Sequence, residues 1–274
     1  MKKLILQFLI MLVAMDAIGQ KNPEEQAIVD EGMKLYRSEM ASWNGTDIFL
    51  EKYSDKKDRA GGYFSYGEGE NVKCIFFSDA ATPVVLITIT FDSSFNKEAA
   101  MIDPAERGFT AIEQELYEIR KKALELISED DLFRMFKGTN LNLVPLIEGS
   151  SKKVFVLTAP QENGYVLFGN DYLIVFDQKN KVKSKKALHK NLIPQEFGKG
   201  DTSIKGDVIG GVHNHLKETG DLITSTDICT LMLYAKSAGW KTYTVVGENS
   251  ISMWDCGSHS LAVLPKGVLD SLGK

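Results

Sequence analysis

Cysteine, histidine and proline are scarce in this chain: three, four and seven among 274 residues. Three cysteines, Cys74, Cys229 and Cys256, are an odd number in a chain of ordinary size, which excludes a disulfide scaffold. A Cys229–Cys256 bridge is permitted in an oxidising compartment, but small buried hydrophobes are the simpler expectation. Cys74, in "VKCIFF", reads as a core strand residue. Positive charge is not in excess either. A net charge of −5 provides no basic field, so nucleic acid is not an expected partner. No glycine-rich phosphate loop stands in the sequence, and no serine or cysteine sits in a nucleophile turn. Past the N-terminus, no run approaches the ~18 apolar residues of a membrane helix, so no span is expected in the mature chain.

The N-terminus is the one apolar exception. Met1-Lys2-Lys3 is a short basic start, "LILQFLIMLVAM" (Leu4 to Met15) is a run of signal-peptide length, and "AIG" (Ala17 to Gly19) offers small residues before Gln20. Residues 1–19 therefore read as a signal peptide, and the protein as exported, periplasmic or secreted. The remainder, in a chain 43% hydrophobic and 25% charged, has globular composition.

After that leader, Asn22-Pro23-Glu24-Glu25 is an N-cap, a first-turn proline and an N3 glutamate. The helix it opens is expected to reach about Trp43, with Ile28, Leu35, Met40 and Trp43 on its apolar face and "WNGTD" ending it. Strands follow in "GYFSYGEG", "NVKCIFFS" and "PVVLITITFD", then a loop, then a helix over about 105–128 with Ile112, Leu116, Ile119, Ala123 and Leu126 in helical register. "FKGTNLNLVPLIEGSSKK" clusters Gly, Pro, Asn and Ser and is the best boundary. It divides an α+β N-terminal region (20–138) from a C-terminal domain (139–274). The latter alternates strands such as "GYVLFG", "YLIVFD" and "DVIGGVHNH" with a helix in "DICTLMLYAKSAG" and a short terminal helix. The interspersion predicts an α/β fold, a mixed sheet with packed helices.

Two of the four histidines, His213 and His215, stand one residue apart in "GGVHNHLKETGDLITSTDICTL". On a strand, that spacing puts both rings on one face, roughly 6.5–7 Å apart along the chain, where they can converge on one ion. Thr224 is a natural N-cap for the following helix and Asp227 its N3 residue. If strand end and helix start adjoin, Asp227 becomes a third ligand, within about 5 Å of a ring nitrogen. Two histidines, one aspartate and an open position match a catalytic zinc site. His189 closes a Lys-rich edge strand and is expected to be solvated; His259, in "CGSHS", reads as a turn residue.

These residues resemble the JAB/MPN (JAMM) metalloprotease signature, His-x-His, a spacer, then Ser-x-x-Asp, in the HNH form of the RadC-like branch. The resemblance covers about 172–247, including "YLIVFDQKNKVKSKKAL". Leu216 stands where the family has proline, and the spacer before Asp227 is one residue longer. The resemblance implies a JAMM/cytidine-deaminase-like C-terminal domain with zinc held by His213, His215 and Asp227. It makes Thr224 the donor to the reaction's oxyanion. "ENGYVLFG" resembles the family's glutamate strand, which makes Glu162 the candidate general base and predicts that "GYVLFG" lies beside "DVIGGVHNH"; Glu218 competes for that role. The function implied is a zinc-dependent hydrolase of peptide or isopeptide-like amide bonds, acting on a peptide or protein at the cell envelope. The alternative is a JAMM-like binding module that has lost catalysis.

Overall fold

The computed structural model describes residues 22–197 and 208–267. The expected signal peptide and the expected C-terminal helix lie outside the described residues. What is described is a mixed α/β protein with several antiparallel sheets and three α-helices. None of those helices is long and apolar enough to cross a membrane.

Helix α1 (Pro23–Lys52) opens as expected, with the Asn22 side chain accepting from the Glu24 N–H at 3.0 Å. It does not stop near Trp43 but continues for two and a half more turns. The reason is Gly45: a Cβ there would stand 2.7 Å from Cys74 Sγ, so this glycine serves close packing on a sheet rather than a turn. Trp43, expected on the buried face, is instead half exposed. The sheet beneath is a meander of β1 (Ala60–Glu68), β2 (Asn71–Ser78), β3 (Val85–Phe91) and β4 (Met101–Asp103), antiparallel throughout. Strand β4 occupies what the sequence suggested was loop. Ala41, Ile48 and Phe49 of the helix bury against Cys74, Phe76, Ile87 and Phe91.

Helix α2 (Ala111–Glu129) starts six residues later than the periodicity suggested, at a capping box between Thr110 and Glu113. Its Ile119 and Ala123 pack on a second sheet, whose order is β5 (Thr139–Glu148), β6 (Ser151–Pro160), β8 (Tyr172–Phe176), β9 (Val182–Ala187). Strand β5 runs through the stretch that read as an inter-domain boundary. Between β6 and β8 the chain makes β7 (Tyr165–Gly169), which pairs antiparallel with β10 (Leu192–Glu196), a strand the sequence did not announce.

The last sheet positions the histidines. Strand β11 (Gly210–Asn214) runs parallel to β12 (Thr242–Val246), and helix α3 (Ser225–Ala238) connects them. Parallel neighbours need such a crossover, and it sets the helix N-terminus beside the carboxyl end of β11. Strands β13 (Ser250–Asp255) and β14 (Ser260–Pro265) complete the sheet as antiparallel hairpins. Helix α1 also reaches this half: Leu35 buries with Cys229, Val144 and Phe155, and Gly32 lies against Ile228 and the Ser225 carbonyl. The two regions divided by the sequence at 138/139 therefore pack on each other.

Candidate metal centre

Along β11 and just beyond it, side chains alternate out and in: Val212 exposed, His213 buried, Asn214 exposed, His215 buried. That is strand periodicity, extended past the strand's end by the His215 N–H donating to the Val246 carbonyl at 2.9 Å. The two rings consequently share a face, with centroids 5.1 Å apart. Asp227 is held opposite them by the start of α3. Thr224 Oγ1 accepts from the Asp227 N–H at 3.1 Å, and Asp227 Oδ2 accepts from the Thr224 N–H at 2.9 Å. The carboxylate so fixed lies 3.2 Å from His215 Nε2 and, through Oδ1, 3.6 Å from His213 Nε2. The strand end and the helix start do adjoin.

A fourth member was misread. His189, expected to be solvated, is 5% exposed, with Nε2 3.3 Å from His215 Nε2 and 3.5 Å from Asp227 Oδ1. Its neighbours in sequence are lysines, but the pairing of β10 with β7 folds this segment inward beside Gly169, whose added Cβ would meet the His189 side chain. A fifth residue, Asp171, was not singled out at all. It is buried, accepts from the Thr158 N–H at 2.9 Å, and puts Oδ2 3.9 Å from His189 Nδ1. The sequence signal was faint: an aspartate between a turn and a strand, in "GND".

His189, His213, His215 and Asp227 form a buried group that can hold a metal ion, with one donor atom from each lying within 4.8 Å of the others. Metal–nitrogen bonds of 2.0–2.1 Å to a tetrahedral ion set donors about 3.3–3.4 Å apart. Four of the separations, 3.2 Å to Asp227 Oδ2, 3.3 Å between His189 and His215, and 3.5 and 3.6 Å to Asp227 Oδ1, are close to that edge length. Two inward-facing atoms, His213 Nε2 and Asp227 Oδ1, have no hydrogen-bond partner among the described residues although buried. Leaving such atoms unpaired costs free energy unless something else satisfies them.

Surrounding groups prepare the donors. Tyr243 Oη accepts from Gln195 Nε2 at 2.6 Å and lies 3.1 Å from His213 Nδ1. With a proton on Nδ1 donated to that oxygen, Nε2 presents a bare lone pair to the cluster. Burial holds the His213 imidazole down at about 4, so it stays neutral near pH 7. Burial alone would raise the Asp227 carboxyl, but the facing histidines overcome it and hold the group well below its usual range. Burial raises Asp171 to about 6, a shift that the neighbouring His189 opposes.

The remaining sequence candidates take other positions. Glu162 is exposed in the turn before β7, at the Tyr165 end of the strand. The cluster lies at the other end, where the Phe168 ring is 5.0 Å from that of His213. Three residues of strand already separate Tyr165 from Phe168 by about 10 Å, so Glu162 does not join the group. Nor is "GYVLFG" the hydrogen-bonded neighbour of the histidine strand: β7 pairs with β10, and β11 with β12. Glu218 is exposed, lies 3.6 Å from Lys190 and lines the same cleft as His189. Thr224 Oγ1 donates its one proton to Asp227 Oδ2 at 2.7 Å, which leaves no donor for an oxyanion in this arrangement. His259 is an exposed turn residue with positive φ, and all three cysteines are free.

Fold and cluster together define a mixed α/β protein with a buried three-histidine, one-aspartate group suited to a metal ion. No protein-family model, curated protein or solved structure matches the chain.

Proposed function

We propose that this chain is an exported zinc-dependent hydrolase of peptide or isopeptide-like amide bonds, with a JAMM-like domain over residues 139–274. One observation carries the reading: three histidines and an aspartate, all buried, bring donor atoms within 4.8 Å of one another behind a cleft that His189 lines. The nitrogen and oxygen donors suit zinc, and the HNH-to-aspartate pattern supplies the hydrolase class by resemblance. Zinc bound there would bring a water towards neutral pKa and polarise a scissile carbonyl.

The rest falls to the chain's own groups. His213, His215 and Asp227 would hold the ion from the protein side. His189 stands on the cleft side, with Asp171 Oδ2 3.9 Å from its Nδ1, longer than a hydrogen bond. In this scheme His189 accepts the proton of the attacking water and returns it to the leaving amine, the part a glutamate plays in the resembled family. Thr224 positions Asp227 and does not touch substrate. The substrate is a peptide or protein at the cell envelope, following the leader-like N-terminus.

The same His189 favours a second reading, a JAMM-like binding module without hydrolysis. Its Nε2 is close enough to His215 and Asp227 to complete a four-ligand shell, and closed shells mark structural sites. One variant separates the two. In the hydrolase reading, His189→Gln keeps zinc and loses about 10²–10⁴-fold of turnover, the usual worth of a general base. If His189→Gln sheds zinc and the wild type cleaves no amide, the binding module stands instead.

A further inference from the structure

The cleft in front of His189 has a volume of about 270 Å³, with an apolar floor from Leu132, Leu188 and the Tyr172 ring. Two cations, Arg134 and Lys190, and one carboxylate, Glu218, border it. Lys190 is answered by Glu218 at 3.6 Å. Arg134 has no ion-pair partner among the described residues. Its main chain is nevertheless pinned: the Arg134 N–H donates to Tyr172 Oη at 2.9 Å, and its carbonyl accepts from Asn170 Nδ2 at 2.9 Å. Tyr172 Oη in turn donates to Asn170 Oδ1 at 2.6 Å. Asn170 and Tyr172 flank Asp171, the residue behind His189. The backbone that carries this guanidinium is therefore tied to the segment that supports the cluster.

We propose that Arg134 is a carboxylate-anchoring residue, and that the cleft takes the free C-terminal carboxylate of a peptide whose last residue or two occupy the apolar floor. A guanidinium is a planar fork that matches a carboxylate with two parallel hydrogen bonds. The volume lies just under the ~300–1,000 Å³ of sites for drug-sized ligands, which suits a short terminus. That ligand class stands on the cleft alone; what happens to it rests on the hydrolase reading above. There, the water's oxygen bonds to the acyl carbon and the C–N bond breaks. The amine leaves with a proton from that water, as a free amino acid or short peptide still carrying the carboxylate held by Arg134.

The test uses N-acetyl-Ala-Ala as the free acid and as its C-terminal amide, titrated into the full-length protein, metal-free and zinc-loaded, and followed by NMR shift changes. The acid is expected to bind about 10- to 100-fold more tightly than the amide, the worth of hydrogen bonds to a charged group. Arg134→Met should erase that difference while zinc content and melting temperature stay at wild-type values. Equal binding of acid and amide, binding of neither, or an acid preference that survives Arg134→Met each overturns the proposal. Amine release, measured separately, tells the two claims apart. An acid preference without amine release sinks the hydrolase and leaves the carboxylate site. Equal release from acid and amide keeps the hydrolase and sinks the site.

Discussion

Two buried carboxylates occupy the same local position in this molecule, and their surroundings are opposite. Glu113 is the N3 residue of a capping box with Thr110 at the start of α2; Asp227 is the N3 residue of one with Thr224 at the start of α3. Glu113 is fully satisfied. Its oxygens accept from Arg107 Nη1 and Nη2 at 2.6 and 2.8 Å, from Tyr66 Oη at 2.7 Å and from the Thr110 N–H at 2.7 Å. Asp227 has its capping oxygen occupied, but Oδ1 faces His189 and His213 with no hydrogen bond among the described residues. Arg107 brings a cation to the first network. In the second, three imidazoles face the carboxylate, a set that a metal ion would complete. The same helix-start grammar thus serves a structural lock in one half and a candidate metal centre in the other.

The largest expected contrast comes from removing each carboxylate. Asp227→Ala should abolish zinc binding, read by elemental analysis after dialysis. Glu113→Ala should leave zinc content unchanged and lower stability in urea by about 3 kcal/mol, the low end for breaking a buried pair, because Arg107 keeps some access to water. Exchange of these two outcomes would dissolve the distinction.

Acid should sharpen it. Burial alone would raise the Glu113 carboxyl, but Arg107, the Thr110 N–H and Tyr66 together bring it from 4.5 down to about 2. The folded-state value is depressed, so the stability it contributes is complete above pH 4.5 and is lost as pH falls towards 2. Denaturation midpoints of wild type and Glu113→Gln should therefore converge over that window.

A smaller effect should link the two halves. A Cβ at Gly32 would stand 2.8 Å from Ile228 and 2.9 Å from the Ser225 carbonyl, forcing α1 away from the helix that presents Asp227. Gly32→Ala should cost about 1–3 kcal/mol of stability, as overpacking does, and weaken zinc binding although residue 32 is no ligand. Unchanged zinc affinity in a destabilised variant would show the halves to be energetically separate.

The smallest contrast lies in the two caps. Thr110→Ala and Thr224→Ala should each cost about 1 kcal/mol. Only the latter should also lower zinc affinity, by about 10- to 100-fold, as loss of a ligand's support does.

The sequence disclosed local features and concealed long-range ones. The alternation Val212-His213-Asn214-His215 and the Thr224–Asp227 cap depend on neighbours in sequence, and both could be read directly. Most strands were legible for the same reason. His189 was not, because its burial depends on β10 folding back on β7, while the lysines around it describe an exposed edge. Asp171 likewise gains meaning only from lying behind His189. Gly45 looked like a helix end because a glycine that makes room for Cys74 cannot be told from one that makes a turn. Glu162 matched a pattern whose strand does pass the cluster, but the pattern carries no information about which end of the strand would face it.

Calorimetric titration of zinc into the metal-stripped protein, beside Asp227→Asn, tests the central claim most directly. Saturable binding at about one ion per chain is expected, with loss of that binding in Asp227→Asn. Absence of saturable binding to the wild type, or equal binding to Asp227→Asn, would contradict it.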